Sequence, residues 1–220
     1  MTAPNESGSA APGTHGEPQP PVGSAGSPAL DADTRDRLVR AAIEVFLEKG
    51  YGGTRVQDVA NLAGVTSGAV YVHFPSRTAL LAEAILREGH GIVARLASSV
   101  AQITPGGGRA ARALTELSTA ESSRFDRLLL EAFALAARSP EAAEVLSSSM
   151  NVFLDGLFEQ VSAAVESGVI DPSLSRDALR HLFASWMFGA IVSRTLGANR
   201  VPIDDMNVLY ARVADALRPS

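Results

Sequence analysis

Cysteine is absent from the 220 residues, which removes disulfides, thiolate zinc sites, iron–sulfur clusters and thiol nucleophiles together. Positive charge is scarce: 19 Lys+Arg stand against 24 Asp+Glu, a formal net charge of −5, and Lys49 is the single lysine. Such a balance excludes a basic coat that holds nucleic acid without regard to sequence. Apolar runs are broken by charge or glycine well short of the roughly 20 residues of a membrane span, and the start has neither the basic residues nor the apolar stretch of a secretory leader. The chain is therefore expected to be soluble and cytoplasmic, without a membrane partner. The four histidines, at 15, 73, 90 and 181, are scattered, with no His-x-x-x-His or Glu-x-x-His pair and no Gly-x-Ser-x-Gly. No catalytic residue, metal site or cofactor is expected from these patterns. Gly106-Gly107-Gly108 lacks the Lys-Ser/Thr of a phosphate-binding loop and reads as a connector.

What is present divides in two. Residues 1–30 carry six prolines, five glycines and no cation, too little apolar surface to offset the entropy of ordering, and are expected to form a disordered tail. Beyond Leu30 the apolar residues recur at helical spacing almost throughout, so the fold class expected is all-α. Helices are predicted at about 33–49, capped by Asp33 or Thr34 and stopped by Gly50, then at 56–63, 67–72, 76–101, 109–120, 123–138, 141–167, 175–196 and 204–217.

The stretch Thr54–Phe74, TRVQDVANLAGVTSGAVYVHF, has the spacing of two short helices meeting at a tight turn. Ala60 admits the partner helix, Gly64 makes the turn, and Val59, Val65 and Val70 fill the wedge. The second helix then turns Thr66, Ser67, Gly68 and Tyr71 outward, short and polar enough to lie on base edges and phosphates. A compact α-hairpin without DNA shows the same small and apolar spacing, so this pattern alone leaves both readings open.

A longer series of residues carries a resemblance: Ala41-Ala42, Val45-Phe46, Gly50-Tyr51, Thr54, Val56 to Ala60, Ala63-Gly64-Val65, Gly68-Ala69-Val70-Tyr71, His73-Phe74, Ser76-Arg77 and Leu80-Leu81. From about Arg37 to Leu86 the chain resembles the TetR/AcrR family of bacterial transcriptional regulators. The resemblance implies an N-terminal three-helix helix-turn-helix domain at 31–78, joined by a long helix to a larger helical domain at 79–220 for ligand binding and dimerisation. It implies that Thr54 contacts a phosphate, with a plain helix cap as its other role. Thr66, Ser67 and Gly68 become the base-reading group, Tyr71 and His73 the pair gripping the backbone, and Phe74 a core anchor. Two positions depart from the family pattern. Arg77 stands where lysine is common, and keeps a cation within reach of a phosphate. Arg55 replaces a small polar residue and adds a phosphate contact or a reach into a neighbouring groove, with a solvated side chain as the alternative.

Residues 31–90 hold seven cations and eight carboxylates, so the cations for DNA are expected on one face, at Arg55 and Arg77 with Arg40 or Lys49. In the C-terminal part, helix 175–196 is apolar around most of its circumference, and helix 204–217 has a narrower stripe. By resemblance the two form a four-helix dimer interface through Leu179, Phe183, Ile191, Met206, Leu209 and Val213; burial of both helices within a monomer is the alternative. Phe125, Phe133, Met150, Phe153, Phe158, Trp186 and Met187 are candidates for lining a mostly apolar effector pocket, or for ordinary core. The expected partners are thus a palindromic double-stranded DNA operator, a second copy of the chain and a small-molecule effector, the reading being a repressor released by that effector. A helical adaptor with a vestigial helix-turn-helix is the second reading, and a helical enzyme the third.

Overall fold

The computed structural model describes residues 28–100, 114–116, 118–198 and 201–219. Residues 1–27 of the tail expected over 1–30, the break at 104–108 and the start of the helix expected at 109 lie outside them, while residues 28–30, read as the end of that tail, are helical. Eight helices are described: α1 (Pro28–Gly53), α2 (Val56–Ala63), α3 (Ser67–His73), α4 (Arg77–Val100), α5 (Arg124–Ala136), α6 (Pro140–Glu166), α7 (Arg176–Thr195) and α8 (Ile203–Ala216). A short helical run also occupies 114–119, apart from residue 117. The described residues contain no strand, in agreement with the all-α expectation.

Local chemistry sets the boundaries. Serine side chains accept backbone N–H groups at four starts: Ser76 Oγ from Ala79 at 3.0 Å, Ser123 Oγ from Asp126 at 3.2 Å, Ser139 Oγ from Ala142 at 3.2 Å and Ser175 Oγ from Ala178 at 3.4 Å. Each fills one of the donors that a helix start leaves unpaired. The expected start of α1 is corrected: it begins at Pro28, and the Thr34 hydroxyl donates back to the Leu30 carbonyl at 2.9 Å from inside the helix. Proline suits that first position because its missing N–H has no helical partner there. Gly50, at φ 66°, breaks α1 where expected, and a further turn follows to Gly53.

One continuous core joins the two expected domains. It runs from Leu38, Ala42 and Phe46 of α1 through Val59 and Val70 to Leu81 and Ile85 of α4. It continues without interruption into Phe125, Leu128, Phe153, Met187 and Ile191. The boundary expected at 78/79 falls in the first turn of α4, and the core does not part there. At the centre of α4, Gly89 lets the neighbouring helices close in: a Cβ on it would stand 2.7 Å from the Phe153 ring and 3.1 Å from that of Phe125. A second, smaller cluster at the far end gathers Val161, Ala164, Ile170 and Leu179, with Phe158, Phe183 and Leu217 against it.

Two corrections to the expected dimer face follow. Leu179 and Ile191 are 3% and 0% exposed inside this protomer's own core, so they cannot reach a partner. The apolar arc that does face outward is Leu182 and Val192 of α7 with Leu196, which caps the end of that helix, and Ser185 and Gly189 are also exposed between them. The spacing of these five is 3, 4, 3 and 4 residues. Helix α8 buries none of its residues and exposes Val208, Leu209 and Val213, while Phe183 and Met206 are half-buried.

Candidate nucleic-acid interface

Helices α2 and α3 meet as the spacing predicts. Gly64 adopts φ 69°, ψ 35°, the left-handed geometry in which a Cβ is strained, and the Val65 N–H closes the turn on the Ala60 carbonyl at 3.0 Å. Val59, Ala60 and Val70 are at most 1% exposed, and Phe74 is 3% exposed. The Arg35 guanidinium covers the Phe74 ring 5.1 Å from its centroid. Two hydrogen bonds, 3.0 and 2.7 Å, hold that guanidinium on Glu83 of α4, which raises its already high pKa. The second helix of the pair is therefore held on its inner side by core packing and at its end by a covered aromatic anchor.

Its other side is open. Thr66 caps α3, accepting the Ala69 N–H at 3.2 Å, and is exposed together with Gly68 and Tyr71. Ser67 is half-buried and its hydroxyl donates to Gln57 Oε1 at 2.6 Å, while Gln57 Nε2 donates to Asn61 at 2.7 Å. This chain across the two helices orients Ser67 and brings in Gln57, which the motif alone does not single out. His73 is half-buried beside Phe74. Val72, to which the sequence reading gave no role, is 81% exposed.

Two residues expected on DNA face inward. Thr54 is fully buried, and its hydroxyl donates to the Gly50 carbonyl at 2.7 Å. The positive φ of Gly50 leaves that carbonyl without a helical partner, and Thr54 supplies one. The hydroxyl is thus neither free for a phosphate nor the cap of α2, since the residue at that cap is Arg55. Arg77 stacks 4.1 Å above the Tyr51 ring and donates to the Thr54 carbonyl, so it fastens α4 to the junction of α1 and α2.

The other cations are also engaged. Arg40 pairs with Asp36 at 2.5 Å and Lys49 with Asp58 at 3.3 Å. The Arg55 N–H bonds the Asp58 carboxylate at 3.0 Å, and this bond, with Lys49 second, holds Asp58 below the usual carboxylate range. Arg55 is exposed and makes no salt bridge among the described residues. Of the cations expected on this face, Arg77 is committed to Tyr51, Arg40 and Lys49 stay exposed but paired with carboxylates, and Arg55 stands without a salt bridge beside the start of α3.

Tyr51 organises what lies behind this face. Its N–H donates to Glu131 of α5 at 3.1 Å, its hydroxyl pairs with Thr78 of α4 at 2.8 Å, and its ring stacks on Phe46 and Arg77. A half-open cleft of about 400 Å³ lies alongside, lined by Phe46, Leu47, Arg127, Glu131, Ala134 and Arg138 among others. None of the aromatic and methionine pocket candidates lines it.

Those candidates are dispersed. Phe125 and Phe153 are close-packed core, ring to ring at 4.9 Å, and Met187 is 8% exposed in the same core. Met150 packs half-buried on that cluster, and Phe158 on the smaller one. Phe133 meets Phe188 edge to face at 5.2 Å, and Trp186 meets Tyr210 in the same way at 5.9 Å. The Tyr210 hydroxyl accepts Trp186 Nε1–H at 2.8 Å and pairs with buried Ser118 at 2.7 Å, a polar group between α7, α8 and the 114–119 run.

A further pair has no local signal in the sequence. Asp126, fully buried, is held by Arg194 Nε and Nη2 at 2.6 and 2.8 Å, and accepts the Ser123 N–H at 3.0 Å. Burial opposes its charge, but Arg194 and Ser123 outweigh that, leaving the carboxyl below its ordinary range. Among the described residues no cluster of three His, Asp or Glu side chains could hold a metal ion, and no helix is long and apolar enough to cross a membrane.

A rigid helix pair joined by a left-handed glycine turn, with the inner side of its second helix in the core and the outer side free, defines a helix-turn-helix DNA-binding protein. Residues 38–84 match the family described as bacterial regulatory proteins, tetR family. Over 195 residues the chain is 31% identical to the HTH-type transcriptional repressor DhaR of Mycobacterium sp. strain GP1, covering 84% of this chain and 93% of that one. The solved multidrug binding protein EbrR, complexed with imidazole, superposes with a TM-score of 0.62 at 25% identity, over 92% of this chain and 98% of its own. Salmonella enterica GusR does so at 0.61 and 21% identity, over 84% and 95%. The chain belongs to the tetR family and is a DNA-binding transcriptional regulator.

Proposed function

We propose that the protein acts as a homodimeric repressor of a palindromic operator, released when a small, mostly apolar molecule binds its C-terminal helices. The observation that carries this reading is the free outward face of α3, with Thr66, Gly68 and Tyr71 exposed while Val70 and Phe74 are locked into the core. A second copy is supported by the outward arc of α7. Leu182, Val192 and Leu196 flank exposed Ser185 and Gly189, and a Cβ on Gly189 would meet nothing within 4 Å. Small residues at the centre of an apolar stripe let a like helix approach closely, and the exposed valines and leucine of α8 extend the surface. Two α3 helices would then lie in successive major grooves, about 34–36 Å apart.

Release needs a ligand that favours one arrangement of the helices over another. The lever is α4, which starts directly after α3 and is fastened at its base by Arg77 and Thr78 to Tyr51, and through Tyr51 to Glu131 of α5. A shift of α5 or α4 alters the support of the helix-turn-helix at that point. For the effector, the edge-to-face pairs Phe133–Phe188 and Trp186–Tyr210 offer apolar surface with the Tyr210 hydroxyl as a polar contact. Repression has the support of DhaR, named a repressor, and a broad apolar effector that of EbrR, named a multidrug binding protein.

The test is DNase footprinting and mobility shift on the DNA upstream of the gene. A dyad-symmetric footprint is expected, abolished in the double variant Arg55→Ala, Tyr71→Ala. Specific binding retained by that variant refutes the assignment of the face. The single tryptophan, Trp186, reports effector binding through its emission.

A further inference from the structure

The centre of the outward face of α3 is not polar. Val70, 1% exposed, marks the inward direction of this helix. At about 100° per residue, positions two before and two after Val70 flank the line directly opposite it. Those positions are Gly68 and Val72. Gly68 has no side chain, and a Cβ there would have the Thr66 hydroxyl, 3.7 Å away, as its sole neighbour within 4 Å. Val72, at 81%, is more exposed than any other large apolar side chain among the described residues. Tyr71 stands about 60° round the helix from Gly68, Thr66 precedes the helix as its exposed cap, and Ser67 is turned to Gln57.

The helix thus presents a bare strip of backbone followed, one turn on, by two methyl groups, with the hydroxyl groups at the margins. A base edge can approach Gly68 closely and bring its neighbour against Val72. In the major groove the apolar group a base pair offers is the C5-methyl of thymine. The hydroxyls at the margins suit phosphates, which position the protein and carry no sequence information.

Resting on the operator-binding reading above, we propose that Val72 is a specificity-determining residue that reads the C5-methyl of one thymine in each half-site, across the gap left by Gly68. Burying one methyl group against another is worth about 0.8 kcal/mol, and about 1.4 kcal/mol is a factor of ten, so the interaction corresponds to about fourfold in affinity per half-site.

Operators are first selected from random duplex DNA with the wild-type dimer. Each thymine of the selected site, with its dyad mate, is then replaced by uracil, which lacks the C5-methyl alone. One symmetric replacement is expected to weaken wild-type binding about fourfold per half-site. Val72→Ala, a change to a better helix former whose folding is checked by circular dichroism, binds the thymine and uracil forms equally while keeping the other selected positions. Uracil tolerated at every position, or a penalty that persists unchanged in Val72→Ala, overturns the proposal and leaves the operator reading standing. Selection that yields no sequence at all overturns that reading, and the proposal with it.

Discussion

Gly89→Ala tests the close approach at the middle of α4. In an exposed helix interior, replacing glycine by alanine stabilises by about 0.8–1 kcal/mol. At position 89 the new methyl would sit 2.7 and 2.9 Å from two atoms of the Phe153 ring and 3.1 Å from the Phe125 ring. Neither ring has room to yield: Phe153 and Phe125 are 3% and 2% exposed and lie 4.9 Å apart, centroid to centroid. Overpacking a core of this kind costs about 1–3 kcal/mol. The propensity gain offsets part of that, and a net destabilisation of about 0–2 kcal/mol remains. For a chain of this length that lowers the melting temperature by up to about 8 °C. Gly91→Ala is the matched control two residues along the same helix, since its Cβ would meet no atom nearer than the flexible end of Arg95 at 3.6 Å. Urea unfolding followed by circular dichroism should place Gly91→Ala at or above the wild type and Gly89→Ala below it. The paired change Gly89→Ala, Phe153→Leu should recover more than the two single changes predict by addition. A Gly89→Ala protein as stable as Gly91→Ala would refute the packing argument.

Other consequences separate the roles of the cations and the helices. Arg55→Ala should leave thermal stability unchanged and lower the slope of log affinity against log salt by about 0.9 for each phosphate it no longer neutralises. Arg77→Ala should instead lower stability by about 1–3 kcal/mol, because it removes both the stacking on Tyr51 and the bond to the Thr54 carbonyl, with the salt slope nearly kept. Asp126→Asn should cost about 3 kcal/mol near neutral pH, because Arg194 is left buried against a neutral group. The folded carboxyl titrates below its unfolded value of about 3.9. Its contribution is therefore full above that value and fades as pH falls below it, so the mutant and wild-type urea midpoints should converge in acid. Leu196→Asp with Leu209→Asp should yield a folded monomer by sedimentation, and operator affinity should disappear with the dimer.

Much of the helix-turn-helix is legible in the sequence because its constraints are local. Gly64 must adopt a positive φ, Val59 and Val70 lie at wedge spacing, and Phe74 ends a short helix that needs an anchor. Direction of long side chains is a different matter. Arg77 has the same identity whether it reaches a phosphate or lies on Tyr51, and the choice depends on Gly50 bending the chain so that ring and carbonyl await it. Thr54 turns inward for the same reason. Helix α7 is apolar nearly all round, so periodicity does not say which arc meets its own core, and Leu179 and Ile191 lie on the inner one. Asp126 and Arg194 lie 68 positions apart. The Ser123–Asp126 spacing signals a capping box, yet nothing local signals the arginine.

The unbroken core has a consequence for recombination. A DNA-reading segment bounded at residue 78 looks portable, a cassette to be spliced onto another sensor in a reporter circuit. In this chain the graft would sever α4 in its first turn, strip Tyr51 of the Glu131 carboxylate and leave Gly50 facing whatever side chain the new host placed there. A working chimera has to carry the matching surface of α5 along with the reading helices. The unit of exchange in this protein is therefore the seam, and the two halves it joins have to evolve as one piece.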